Sequence, residues 1–177
     1  PVHILWINLV TDGLPALALA AEPAEPNIMK RPPRLPDESI FAKGLGIHIL
    51  WVGIFIGLLT VATQWLAIHY TGTHWQTIVF TVLCFSQLWH VMAIRSESQS
   101  LFTIGLLSNK PLLLAVGATF LLQAAVIYLP FLNKFFHTAP LTIAELLMAT
   151  GISLLVFIAV EIEKTVKRKI RKNINNK

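Results

Sequence analysis

The chain has 177 residues, 55% hydrophobic and 13% charged, with 14 Lys and Arg against 9 Asp and Glu. A mean hydropathy of +0.66 and several apolar runs of about 20 residues exclude an ordinary soluble domain and predict an all-α, polytopic membrane bundle. The formal net charge of +5 sits between apolar runs and in the C-terminal tail, which fits membrane orientation and headgroup contact rather than nucleic-acid binding.

The first apolar segment covers residues 1–21 and contains Asn8, Thr11 and Asp12. A carboxylate at the centre of a spanning helix costs about 2.5–3.5 kcal/mol even on a lenient insertion scale, so Asp12 must have a use. The i, i+3, i+4 spacing places the three polar residues on one helix face. Gly13 and Pro15 follow, and Pro15 crowds the carbonyl of Thr11, so the helix is expected to be broken near Gly13-Pro15. Residues 22–43 form a Pro-rich linker made basic by Lys30, Arg31, Arg34 and Lys43, which marks it as cytoplasmic. The chain opens on Pro1 and turns apolar at once, as expected of a piece of a longer protein.

Residues 44–163 hold four further expected spans. The first, about Gly44 to Ile68, reaches roughly 37 Å and carries a Gly53/Gly57 pair suited to close helix packing. A short external loop with His69 and His74 follows; loop histidines of this kind are usually not metal ligands. The next span, about Trp75 to Ile94, places Gln87 and His90 one turn apart, facing protein rather than lipid. The fourth runs from about Pro111 to Leu132 and includes Gln123; the fifth runs from about Leu141 to Val160, with Glu145 near its start. Residues 164–177 form a basic cytoplasmic tail. With the first span entering from outside, Lys134 is the one external base among the 14 Lys and Arg, and this asymmetry sets the predicted orientation of five spans. The single cysteine, Cys84, permits no disulfide within the chain.

Asn8, Asp12 and the carbonyls near Pro15 are hard oxygen donors, suited to Ca2+, Mg2+ or Mn2+ rather than to Cu+ or Zn2+. Ca2+ takes about six to eight oxygens, so one helix cannot complete such a site. Two other uses of Asp12 stay open: a protonated structural partner and a proton relay.

Asn8-Leu9-Val10-Thr11-Asp12-Gly13-Leu14-Pro15-Ala16, then Glu22-Pro23 and Ile28-Met29-Lys30-Arg31-Pro32-Pro33-Arg34, closely resemble the sixth membrane helix and following loop of P-type calcium-transporting ATPases. Ser96 to Phe102 resembles the loop after their eighth helix. The resemblance, over about Pro1 to Arg171, implies that the five spans are helices six to ten of a ten-helix membrane domain. It implies Asn8, Thr11 and Asp12 as Ca2+ ligands, completed by groups from helices four and five. A helix-eight Glu serving a second ion is matched here by Gln87, an uncharged and weaker candidate, which favours one Ca2+ per cycle. The Gly53/Gly57 pair resembles the glycine-rich helix seven that packs on helix five.

No DKTGT, TGES or PEGL motif occurs in the chain, so ATP and Mg2+ are expected only in domains outside it. The implied partners are the rest of the pump and membrane lipid. A pump for Mn2+ or another cation, and a purely structural support segment, are the rival readings.

Overall fold

The computed structural model describes residues 1–23, 39, 41, 44–70, 72, 74–96 and 99–175. Most of the 22–43 linker, including Lys30, Arg31, Arg34 and Lys43, lies outside the described residues, as do Glu97 and Ser98. The described elements are helical: α1 (Val2–Trp6), a π-helical stretch Ile7–Asp12, α2 (Gly13–Leu19), α3 (Leu45–Tyr70), α4 (Trp75–Ala93), α5 (Leu101–Ile104), a 3-10 turn Leu106–Ser108, α6 (Lys110–Tyr128), α7 (Pro130–Phe136) and α8 (Ile143–Asn175). Among the described residues, five segments are long and apolar enough to cross a membrane: the composite Val2–Leu19, then α3, α4, α6 and Ile143–Ile170 of α8. The predicted all-α bundle is thus the observed one.

α4 is the axis of the bundle. Its apolar window is 61% buried against 11% for α3, because apolar and small hydroxyl residues surround it on most sides. The hydroxyl of Thr81 is satisfied inside the helix by donating to the Thr77 carbonyl at 2.7 Å. α8 and α3 flank one side, with Val52, Ile56, Ala93, Val156 and Val160 forming one packed cluster. The first span packs on another side, where Trp6 and Ile7 meet Phe80, Cys84, Phe85 and Leu88. Small residues at the contact, Ala93 and Ala149 among them, are fully buried and let backbones approach closely.

α6 stops four residues short of the expected Leu132. Leu129 adopts an extended conformation, φ −83° and ψ 121°, because the residue before a proline is pushed out of the helical region. Pro130 then opens α7, where its missing N–H costs nothing. The break frees carbonyls at the end of α6. Asn133 Nδ2 donates to the carbonyls of Val126 at 2.8 Å and Ile127 at 2.6 Å, and Thr138 Oγ1 donates to Val126 at 2.7 Å.

Gly53 and Gly57 do not pack within the chain. Both are exposed, and a Cβ added at either would meet nothing within 4 Å. α8 continues as one helix through Asn175, carrying the first basic residues of the expected tail on its extension. Lys164 is buried there, donating to Glu161 at 2.8 Å and to the Gln99 carbonyl at 3.1 Å.

Asn133→Ala removes the side-chain donor of the Ile127 carbonyl and leaves the Val126 carbonyl to Thr138 alone, beside the α6–α7 break. The expected loss is about 1–3 kcal/mol, read as a lowered melting temperature of the detergent-solubilised protein relative to wild type.

Candidate cation site

The first span does not unwind at Pro15. It widens ahead of it, over Ile7–Asp12, and returns to regular helix at Gly13. The proline ring needs space at the Thr11 carbonyl, and a turn with i→i+5 pairing supplies that space without breaking the chain. Single π turns inside helices are frequent at functional positions.

The wider turn sorts the three polar residues. In it, positions four apart stay roughly aligned, while positions three apart diverge. Asn8 is exposed, Asp12 is half-buried and Thr11 is fully buried. Thr11 therefore does not share the face of Asn8, as regular helical spacing predicts. Its Oγ1 makes no hydrogen bond of ordinary geometry; its neighbour is the Cys84 thiol of α4, which also feels the Asp12 carboxyl. A thiol is only a weak donor. Gln87, half-buried, stands one turn along α4 from Cys84 on the same face. The seam between the first span and α4 thus runs past Thr11 and Cys84, with Asp12 half-buried at its edge and Asn8 on the open side.

This set offers one carboxylate, one amide and one hydroxyl on the first span. Among the described residues, no group of three or more His, Cys, Asp or Glu converges as a metal cluster. The oxygens are too few to enclose Ca2+ unaided.

Both ends of the span are held by polar contacts. At the Val2 end, the His3 ring stacks on Phe80 with centroids 4.4 Å apart and its Nε2 lies 2.6 Å from the Phe136 carbonyl. Trp6 Nε1 donates to Oε1 of the buried Gln123 at 2.9 Å. At the other end, Glu22 accepts from Arg95 and Asn109. Burial alone would raise the Glu22 carboxyl; hydrogen bonds from Arg95 and Asn109, with the Arg95 charge, outweigh it and hold the group below its ordinary value.

Residues 1–166 match the family model described as "Cation transporting ATPase, C-terminus". The chain belongs to this family. It is 40% identical over 156 residues to a calcium-transporting ATPase of Bacillus subtilis, covering 86% of this chain and 17% of that protein. It is 37% identical over 180 residues to the human calcium-transporting ATPase type 2C member 1, covering 99% of this chain and 20% of the relative. A calcium-transporting ATPase of Bacillus cereus is 37% identical over 186 residues, with 95% and 21% covered. The chain thus spans about a fifth of the length of the curated relatives it matches.

Within this family segment, several polar residues carry contacts that their positions in the sequence do not announce. Gln123 and Arg95 are the clearest, since each meets the first span across a long stretch of chain. His48 of α3 meets Glu163 of α8 at 2.7 Å and His90 of α4 at 3.5 Å, joining three helices. His69 and His74 do not converge: His69 Nδ1 lies 2.8 Å from the Trp65 carbonyl of its own helix, and His74 faces Glu145 at 3.4 Å.

The lowered Glu22 pKa fixes a sign. Its contribution to stability is fully present above the unfolded value, near 4.5, and is lost as pH falls through the lower folded value. Thermal melts of the solubilised protein are expected to show an acid-side decline below about pH 4.5 that Glu22→Gln flattens.

Proposed function

We propose that this segment is the C-terminal membrane part of an ATP-driven calcium pump and that its first span supplies part of the Ca2+ site. The observation that carries this reading is the sorting of oxygens on the π-helical stretch. Asn8 is exposed and Asp12 half-exposed, on a side that the chain's own helices leave uncovered. Such oxygens are costly toward lipid and useful toward a cation shared with other helices. Asn8 and Asp12 serve as direct ligands, with Thr11 following through its carbonyl or hydroxyl. Asp12 supplies the one charge of the set, and a hard divalent ion suits carboxylate and amide oxygens. Gln87 is a secondary candidate without charge. The names of the relatives, calcium-transporting ATPases, favour Ca2+ over Mn2+ as cargo.

ATP and Mg2+ belong to domains outside this chain, which phosphorylate an aspartate there and drive alternating access. The C-terminus lies on the cytoplasmic side, because that orientation leaves Lys134 as the one external base. A second reading, structural support, is favoured for α4, α6 and α8 by their mutual packing in the core. It coexists with the first, since the ligands lie on the first span.

In the intact pump, Asp12→Asn is expected to abolish Ca2+-dependent phosphorylation from ATP while phosphorylation from inorganic phosphate without Ca2+ persists. Wild-type Ca2+-dependent phosphoenzyme in that variant overturns the assignment. Gln87→Ala is expected to leave the half-saturating Ca2+ concentration within about twofold, and a larger rise restores Gln87 as a ligand; Mn2+ competition in transport assays decides the cargo.

A further inference from the structure

Arg95, just past the end of α4, has a side chain only 1% exposed. Its guanidinium reaches two separate parts of the fold. Nε donates to Glu22 Oε2 at 3.0 Å and Nη2 to Glu22 Oε1 at 2.8 Å, a bidentate fork. Nη2 also donates to Ser108 Oγ at 2.5 Å, and Nη1 to the Gly105 carbonyl at 3.3 Å. Gly105 has φ +88°, a backbone conformation that glycine adopts without strain.

Asn109 completes the cluster. Its Nδ2 donates to Glu22 Oε2 at 2.8 Å and reaches the Ala18 carbonyl of α2 at 3.4 Å. Its Oδ1 accepts from the Leu112 N–H at 2.9 Å, capping α6. One carboxylate therefore joins the end of α2 to the exit of α4 and the start of α6.

Glu22 is ten residues beyond Asp12, about 15 Å along a helix, too far to touch a cation held by Asp12. The intervening α2 is regular from Gly13 to Leu19, so displacement at Glu22 is carried back to the π-helical stretch. We propose that Arg95, through Glu22, is a positioning residue for the cation site: it fixes the placement of α2 against α4 and α6 and thereby sets cation affinity. This rests on the reading of Asn8 and Asp12 as cation ligands. The fork is specific to arginine, because a lysine ammonium cannot hold both carboxylate oxygens in one plane.

The test uses the full-length pump, with phosphoenzyme formed from ATP measured against free Ca2+. Arg95→Lys and Glu22→Gln are each expected to raise the half-saturating Ca2+ concentration by about tenfold, within the usual range of coupling between linked sites, with maximal phosphoenzyme per pump unchanged. The charge exchange Glu22→Arg with Arg95→Glu is expected to recover much of the affinity lost in either single reversal, which a general loss of folded protein does not do. Unchanged half-saturation in both Arg95→Lys and Glu22→Gln overturns the proposal. So does a fall in maximal phosphoenzyme with no change in half-saturation. Asp12→Asn run in parallel separates the two readings. If it retains wild-type Ca2+ dependence, the cation site itself falls; if it loses that dependence while Arg95→Lys and Glu22→Gln behave as wild type, only the positioning role falls.

Discussion

A backbone amide or carbonyl at membrane depth has no water to turn to, and an unsatisfied one is costly. At two prolines among the described residues, the chain meets that constraint in different ways. At Pro130 the helix ends, and the Asn133 side chain takes up the freed carbonyls of Val126 and Ile127. At Pro15 the chain uses a different solution. It widens into a π-helical stretch and remains helical throughout. The two sites differ in the backbone that leads into the proline. Leu129 is extended, and the chain turns into α7; Asp12 and Gly13 keep helical dihedral angles and the span continues.

Two buried side chains meet the same constraint by reaching the first span. Gln123 is fully buried in α6; its Nε2 makes no hydrogen bond, while its Oε1 receives the Trp6 indole N–H, tying the first span to α6. Arg95 and Glu22 do so at the other end of the span. A buried charge is tolerable when it is paired and hydrogen-bonded, and Arg95 meets both conditions with Glu22, Ser108 and Gly105. The first span is thus fastened near both ends, while its middle, from Ile7 to Asp12, holds the wider turn and the polar residues.

The spans were legible because about 20 apolar residues in a row have few other uses. Asp12 stands out in the sequence because a mid-span carboxylate is costly, and the structure leaves it half-buried beside the buried Thr11. The direction of Thr11 was not, since the i, i+3, i+4 rule assumes a regular turn and the π-helical stretch changes the angle per residue. The Arg95–Glu22 fork was not legible either: its partners are 73 residues apart, and a basic residue after a span also reads as an orientation signal. The end of α6 was misjudged because apolar Phe131 and Leu132 extend the hydrophobic run past Pro130, and hydropathy does not register the conformational limit that proline places on Leu129.

The distribution of exposure gives the segment its meaning. α4 is enclosed, whereas α3 turns Gly53, Gly57, Leu50 and Ile54 outward. Exposed apolar side chains fit lipid as well as protein, but an exposed amide at Asn8 in mid-span does not. Small residues open to close approach and an oxygen donor that its own chain leaves uncovered make the same demand for further helices against these faces. A donor set that falls short of enclosing Ca2+ fits the proposed sharing of a site among helices, and the packed core formed by α4, α6 and α8 is the frame to which Arg95 and Gln123 fasten the two ends of the first span.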